Sequence, residues 1–271
     1  MGEMADDRIY ADRRGKTDVY VGAGLGLTLV GVSDDRVGRF RLIRRGEVQS
    51  VTADRKSVVI GTDDDVFRAT TDDPETFEGL GFGSAVAVGI DGPTAVSPDG
   101  EVARYEGDGT WQSLGTVEEP RAIAGEWLAA GDGMYRIDGG TLTRSGPSAA
   151  DVAIGDHPIA AGEGGLYRFA DGAWHRECEG TFDAVASDGN EAHAVGSAGL
   201  FERRDGEWLK RDPPTDERIV DLAYGQGIVA VTAIGTILVD PAAAKDGADG
   251  WRSRSLGLGS VTSLAVGPTR A

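Results

Sequence analysis

The chain repeats one pattern of short apolar runs and polar turns about seven times. In one clear copy, a run of small alternating residues at 183–186 precedes a stronger apolar run at 192–196. A third run with an aromatic residue at 200–203 and an Asp-Gly-x-Trp turn at 205–208 complete the copy. Apolar runs of four to eight residues, bounded by Gly and Asp, are typical of β-strands, so each copy predicts four strands.

The repeat length and the composition of the runs predict a β-propeller. Seven copies in 271 residues give about 39 residues each, which suits four-stranded propeller blades. The first run of each copy is rich in Ala, Gly and Val, as expected for the innermost strand, where blades converge. The Asp-Gly pairs predict two-residue type I′ turns, because both positions then need positive φ. These pairs lie at 108–109, 138–139, 171–172, 205–206 and 249–250.

The two ends of the chain supply one blade between them. Six complete copies lie between about residues 47 and 260. Residues 18–45 supply the second to fourth strands of a further blade, and residues 261–267 supply its first strand. We therefore predict an all-β fold, a single closed propeller over residues 1–271 with seven four-stranded blades. Six or eight blades remain open, because the copy at 121–149 is short and the one at 218–260 is long. We expect residues 1–7 to be disordered or derived from the expression vector.

Four of the five tryptophans begin the outer strand of a copy. They are Trp111, Trp174, Trp208 and Trp251. A large ring at this position is expected to pack against the neighbouring blade rather than to stack on a ligand.

The charge balance is strongly acidic and poor in lysine. There are 45 acids and 27 bases, a net charge of −18, and only Lys16, Lys56, Lys210 and Lys245 are lysines. This composition fits a halophilic protein, since molar salt shortens the Debye length to about 3 Å and screens self-repulsion. The alternative is an acidic surface intended for a basic partner or a cation. Direct nucleic-acid binding is not expected, because the sequence shows no basic stripe for a phosphate backbone.

The remaining composition predicts a soluble cytoplasmic protein. The single cysteine, Cys178, excludes an internal disulfide, and its neighbours Glu177 and Glu179 disfavour a thiolate. The start of the chain has no secretory pattern, and no apolar run is long enough to span a membrane. We expect a monomer with no membrane partner.

Acidic residues recur at one position of several copies and form the candidate binding site. Asp63, Asp65, Asp99, Asp132 and Glu163 fall in the turns between the second and third strands. In a propeller these turns share a face with the links between blades, which here contain Arg44, Arg45, Glu118 and Glu119. This face is expected to be negative, either as halophilic surface charge or as a site for a metal ion or an Arg/Lys-rich partner. No cofactor is predicted, although a divalent cation such as calcium stays open.

No constellation of catalytic residues is evident. His157 and His193 begin the second strands of neighbouring copies, but a zinc site needs further ligands, so we expect a structural role. No nucleophile elbow and no metalloprotease helix occur.

Composition and repeat style together resemble a known family. The units that read Gly-Leu-Tyr-Arg at 165–168 and Asp-Gly-Ala-Trp at 171–174, in a lysine-poor acidic chain, resemble haloarchaeal β-propeller proteins with no assigned activity. The resemblance covers nearly the whole chain. It implies the fold and carries no catalytic residues over to this sequence.

Two functions fit these observations. The first is a non-enzymatic scaffold of a halophilic archaeon, which binds a partner protein through one face of the propeller. The alternative is an enzyme or lectin for a small molecule, such as a sugar or lactone, at an acidic channel mouth that binds a cation. A channel metal with three carboxylate ligands would favour the alternative, and a large apolar patch on one face would favour the scaffold.

Overall fold

The computed structural model describes residues 15–33, 36–189, 191–212, 215–241 and 250–270, which form seven four-stranded antiparallel sheets. Blade 1 begins with β1 (Lys16–Ala23), β2 (Gly26–Ser33) and β3 (Arg36–Arg45). Blade 2 contains β4 (Val48–Ala53), β5 (Ser57–Thr62), β6 (Val66–Thr70) and β7 (Glu78–Gly79). Blade 3 contains β8 (Ala87–Gly89), β9 (Thr94–Val96), β10 (Glu101–Gly107) and β11 (Thr110–Thr116). Blade 4 contains β12 (Pro120–Ala124), β13 (Trp127–Ala130), β14 (Gly133–Asp138) and β15 (Thr141–Arg144).

The second half of the chain continues this order. Blade 5 contains β16 (Asp151–Ala153), β17 (Ile159–Gly162), β18 (Gly165–Ala170) and β19 (Ala173–Cys178). Blade 6 contains β20 (Phe182–Ser187), β21 (Ala192–Gly196), β22 (Gly199–Arg204) and β23 (Glu207–Arg211). Blade 7 contains β24 (Ile219–Tyr224), β25 (Gly227–Thr232), β26 (Thr236–Pro241) and β27 (Arg252–Ser255). The last strand, β28 (Val261–Arg270), belongs to blade 1.

The C-terminal strand closes the ring. Strand β28 is the innermost strand of blade 1 and pairs with β1 in antiparallel register, with Val21 opposite Leu264 and Tyr20 opposite Ala265. The pairing removes a free sheet edge from the innermost position of the blade. The prediction of seven blades closed by the two ends of the chain is therefore confirmed.

The hydrophobic core lies between the blades. Seven apolar clusters fill the gaps; in the gap between blades 7 and 1, for example, Val231 and Ile237 pack with Val21 and Val30. Each blade presents one apolar face to either neighbour, because successive side chains of a strand point to opposite faces of the sheet.

The outer-strand tryptophans pack between blades, as predicted. Trp111 of blade 3 lies against Phe82, and its Nε1 donates a hydrogen bond to the Leu80 carbonyl oxygen at 2.9 Å. Trp174 of blade 5 meets the buried Trp127 of blade 4 edge to face.

The Asp-Gly turns have the predicted backbone conformation. Both central residues have positive φ in the turns at 108–109, 171–172 and 205–206, with φ between 50° and 86°. In blade 4 the turn is one residue further along, at 139–140, and Gly-Gly provides the positive φ values. The fifth predicted turn includes Asp249, which lies outside the described residues.

Two surfaces of the ring follow from the strand order. We call the surface that carries the links between blades, together with the turns between second and third strands, the link face. The opposite surface carries the turns between first and second strands. No helix in the described part of the chain is long and apolar enough to cross a bilayer.

Candidate functional site

A central channel runs between the seven innermost strands. Its cavity has a volume of about 450 Å³ and is lined by residues of the innermost strands and their immediate neighbours. Small side chains such as Ala124, Ala153, Ala186 and Ala223 leave this space open. The volume falls in the range of sites for small molecules.

Two aspartates hold neighbouring innermost strands together inside the channel. Asp151 and Asp221 occupy equivalent positions in the first strands of blades 5 and 7. Each lies opposite the second-to-last residue of the second strand, which is Ala161 in blade 5 and Val231 in blade 7. The Asp151 carboxylate accepts hydrogen bonds from the backbone N–H of Val152 and of Val185 in blade 6, both at 2.8 Å. Each aspartate thus caps its own strand and reaches the next blade.

The second aspartate makes the corresponding contacts at the ring closure. The Asp221 carboxylate accepts from the N–H of Leu222 at 2.7 Å and from the N–H of Leu264 in β28 at 2.6 Å. In blade 2 the equivalent residue is Ser50, whose Oγ accepts from Val88 of blade 3 at 3.3 Å. We call these three contacts the channel latches.

The electrostatics of the two aspartates are unusual. Within the described residues, neither carboxylate has an ion-pair partner. Burial raises the pKa of both carboxyls, and the negative charge of Asp151 raises the pKa of Asp221 further. The pair can therefore retain a proton at pH values where an exposed aspartate is ionised, and the protonated carboxyl can donate a hydrogen bond into the channel.

A histidine–tyrosine pair lies at the other end of the channel. Tyr224 lines the cavity, and its hydroxyl oxygen is 2.6 Å from Nδ1 of the buried His193. Burial lowers the pKa of His193 to about 4, so the imidazole is neutral at physiological pH. This contact is consistent with the structural role expected for His193, whereas His157 is exposed.

The predicted acidic turn residues are distributed around the link face. Asp63, Asp99 and Glu163 are exposed in their turns. The Asp65 carboxylate accepts hydrogen bonds from four backbone N–H groups, three of them in the link to blade 3, so it organises that link. Asp132 accepts from the Tyr135 hydroxyl and, at 3.4 Å, from the Glu118 N–H.

The predicted link residues have different surroundings. The Arg44 guanidinium lies over the Phe67 ring at 3.5 Å, and its burial lowers the Arg44 pKa. Arg45 and Glu118 are exposed, and Glu119 pairs with Arg121 at 2.9 Å.

The nine predicted residues do not form one compact cluster. The structure brings Glu118 and Asp132 together, and among the described residues none of the nine lines the channel cavity. In that part of the chain no group of three or more His, Cys, Asp or Glu residues is arranged to hold a metal ion. Binding through these residues stays a prediction.

Sequence reasoning missed an uncharged patch on the link face. Leu25, in the β1–β2 turn, is 66% exposed, and Ile234, in the β25–β26 turn, is 59% exposed. Both turns contact the link at 256–261: the Gly24 N–H donates to the Ser260 carbonyl oxygen at 3.1 Å, and the Val261 N–H donates to the Ala233 carbonyl oxygen at 3.4 Å. We call Leu25, Ile234 and residues 257–260 the 7–1 patch.

A signal for this patch was present in the sequence. Residues 19–33, 222–239 and 255–269 contain no charged residue, although 27% of the chain is charged. Only the ring closure shows that the three stretches meet, because they are far apart in the chain. Isolated exposed apolar side chains are ordinary, whereas an exposed apolar patch is a feature of interaction sites.

Comparisons with known proteins agree with this architecture. A family model described as HVO_0234-like, beta propeller, matches residues 3–267. No match was found among curated proteins. The computationally designed protein Ika8 is similar in structure, with a TM-score of 0.62 and 16% identity over 94% of this chain and 91% of Ika8.

Two natural proteins of known structure are also similar. YCF48, solved bound to D1 peptide, has a TM-score of 0.57 and 15% identity over 78% of this chain and 81% of its own. Human WBSCR16 has a TM-score of 0.58 and 12% identity over 84% of this chain and 89% of its own. At these identities the likeness concerns the fold.

Proposed function

The chain belongs to the HVO_0234-like β-propeller family, and on that premise we propose that it is a non-enzymatic scaffold that binds a partner protein through its link face. The single observation that carries the proposal is the 7–1 patch, where Leu25 and Ile234 project from neighbouring turns. Apolar side chains in such a position supply the desolvated centre of an interface, and surrounding charges supply its rim.

The charge of the link face indicates the kind of partner. Asp63, Asp99, Glu163 and Glu118 are exposed on this face, and the whole chain carries a net charge of −18. A partner segment with apolar residues flanked by Arg or Lys would complement both features. The fold is also used in this way elsewhere, since the similar protein YCF48 was solved with a bound peptide.

The composition extends the proposal to the setting in which the protein works. The acidic, lysine-poor surface suits a salt-rich cytoplasm, where charge steering is weak and apolar contacts supply most of the affinity. We propose that the protein is a monomer there and binds no nucleic acid directly through the link face.

The test compares partner capture by matched variants in molar salt. The full chain is immobilised and exposed to a lysate of the source organism, and the captured proteins are identified by mass spectrometry. We expect Leu25→Asp/Ile234→Asp to lose proteins that the wild type retains, while Leu209→Asp, on an outer strand, retains them. Identical captured sets for all three proteins would contradict the proposal.

A second candidate function rests on the channel. Asp151 and Asp221 face a cavity of ligand size and have raised pKa values, which is a combination found at many active sites. This observation favours an enzyme or lectin for a small molecule such as a sugar or lactone. Loss of lactone hydrolysis or of sugar binding in Asp151→Ser/Asp221→Ser would support this candidate. An activity or affinity that the double variant retains would show that the two aspartates are not required for it.

A further inference from the structure

We propose that the free edge of strand β3 is a second docking surface, which takes an extended acidic segment of another protein as an additional strand of blade 1. The surface lies on the outer rim of the ring. It is therefore separate from the link face and does not depend on the function proposed for that face.

The charge of β3 is opposite to that of the molecule. Residues 36–46 contain five arginines and no acid, although acids outnumber bases 45 to 27 in the whole chain. Strand β27 of the adjacent blade 7 adds the exposed Arg252 and Arg254 on the same side of the ring. An acidic protein thus has a basic rim at the junction of blades 7 and 1.

The edge of β3 is also long. It is the outermost strand of its sheet and has ten residues, whereas the outermost strands of the other blades have two to seven. An edge strand presents unpaired backbone N–H and C=O groups. In β3 the carbonyl oxygens of Val37 and Gly38 already accept hydrogen bonds from the Arg254 guanidinium, which leaves residues 39–45 for a partner strand. This stretch is long enough to pair with a strand of ordinary length.

Apolar side chains alternate with arginines along this edge. Phe40 is 38% exposed and Leu42 is 41% exposed. Arg39 precedes Phe40 in the strand, and Arg41 lies between Phe40 and Leu42. The Arg254 guanidinium lies over the Phe40 ring at 5.3 Å, and Arg41 pairs with Glu75 at 2.7 Å. Arg39 has no ion pair within the described residues, so it can bind an incoming carboxylate.

This combination differs from an edge that is only protected against aggregation. Charged side chains on edge strands prevent edge-to-edge pairing, and arginines alone would fit that purpose. Exposed Phe40 and Leu42 would weaken such protection, because they favour pairing with another apolar strand. A surface with both features suits a partner strand whose carboxylates and apolar residues also alternate.

A protein segment fits this edge better than a nucleic acid does. A nucleic acid is a long polyanion and would experience the repulsion of the whole molecule, whose net charge is −18. A short acidic strand brings fewer charges, and its backbone can pair with β3. The expected ligand is therefore a protein segment, and the test includes a nucleic acid for comparison.

The experiment measures binding of a labelled peptide to the full chain by fluorescence anisotropy. The probe is an extended peptide of alternating Val and Glu, about ten residues long to match an edge strand. Its controls are the Val-Gln peptide, two peptides with N-methyl groups on alternate residues of either register, and single-stranded DNA of equal charge. Binding is measured at about 0.15 M and about 2 M salt, which separates the electrostatic part of the binding free energy from the other contributions.

Matched variants locate the surface. Arg39→Glu and Leu42→Ser alter β3, while Lys210→Glu and Leu209→Ser make the same changes in exposed residues of β23. We expect the Val-Glu peptide to bind, each β3 variant to weaken it by about five-fold, and each β23 variant to leave it unchanged. One of the two N-methylated peptides should lose binding, because it cannot pair with the strand edge.

Three results would overturn the proposal. The first is the absence of binding by the Val-Glu peptide at either salt concentration. The second is equal weakening by the β3 and β23 variants. The third is binding of DNA as tightly as the peptide with no effect of either N-methylation, which would indicate charge attraction without strand addition.

Discussion

Glycines at the start of the third strands allow the backbones of a blade to approach closely. Gly165 has φ of 135°, a conformation that residues with a side chain rarely adopt. A Cβ at this position would lie 2.1 Å from the Cys178 carbonyl oxygen, and Gly26 is in the same situation in blade 1. Glycine at this position is therefore a steric requirement in blades 1 and 5.

Replacing Gly165 should destabilise the protein. We expect Gly165→Ala to lower the free energy of unfolding by about 1–3 kcal/mol, because it adds backbone strain and a contact with the Cys178 carbonyl. Chemical denaturation in molar salt measures the change. Gly259→Ala is the control, since a Cβ there would meet no atom within 4 Å. Equal free energies of unfolding for the two variants would show that the blade accommodates a Cβ at residue 165 without strain.

The buried histidine predicts sensitivity to acid. His193 is neutral in the folded protein, and its pKa of about 4 lies below the ordinary value of 6.5. The folded state therefore disfavours protonation, and stability is lost as the pH falls from about 6.5 towards 4, by about 3 kcal/mol in total.

Variants separate this effect from the titration of carboxylates. His193→Gln keeps an acceptor for the Tyr224 hydroxyl and does not titrate, so its stability should fall less between pH 6.5 and about 4.5. His157→Gln, at an exposed position, should behave as the wild type does. Urea denaturation at several pH values makes the comparison, and identical profiles for all three proteins would contradict it.

At the scale of the strands, the channel latches explain how the short innermost strands of neighbouring blades are held together. Strands such as β8 and β16 have three residues each, which gives few backbone hydrogen bonds within the blade. An acceptor at the latch position adds a hydrogen bond to the next blade. Aspartate provides it in blades 5 and 7 and serine in blade 2, so the position tolerates either residue type.

The two latch types differ in their response to pH. The pKa of Asp221 is raised on folding, so the folded state favours the protonated acid. Stability is then lost as the pH rises from about 4 towards the raised pKa, the opposite direction to the effect of His193. We expect the free energy of unfolding of Asp221→Ser to fall less over this pH range than that of the wild type. Serine is a suitable replacement, since it is the natural latch in blade 2.

Denaturation from about pH 4 to about pH 9 tests this expectation. Asp99→Ser, which changes an exposed aspartate of the link face, is the control. A wild-type profile in Asp221→Ser would mean that Asp221 has an ordinary pKa in the folded protein.

The strands were predictable from the sequence, and the latches were not. Alternating apolar residues and Asp-Gly pairs are local signals, and β20 to β23 follow the repeat residue by residue. Asp151 and Asp221 look like ordinary strand-start residues in the sequence. Their role depends on a backbone N–H of the next blade, which only the tertiary structure places beside them.

At the scale of the whole molecule, the ring closure determines which surfaces exist. The 7–1 patch and the basic rim both lie where blade 7 meets blade 1, and both combine residues from opposite ends of the chain. The predicted acidic turns were placed on the correct face because each lies within one repeat. For surfaces formed across the closure, the sequence shows the uncharged stretches and the arginines of β3 but not which of these segments meet, which is why sequence reasoning missed them.

Removal of the closing strand should abolish the native fold. Deleting residues 261–271 removes the buried Val261, Leu264 and Ala265 and exposes the backbone edge of β1. We expect the shortened chain to lose its cooperative thermal transition and to aggregate, as free inner edges promote association. Circular dichroism and gel filtration measure both effects, and a synthetic peptide of residues 261–270 should restore the transition. Cooperative unfolding at the wild-type temperature without the peptide would contradict this expectation.

The position of β28 has a consequence for how the protein is made. Among the strands of the propeller, β1 to β3 leave the ribosome before the others, yet β28, which pairs with β1, follows all of them. Blade 1 must therefore remain three-stranded until β28 has been translated, and its completion joins residues that are far apart in the chain, a slow kind of contact. A nascent chain that stops before β28 lacks the strand that completes blade 1, so the architecture itself distinguishes chains that contain β28 from shorter products.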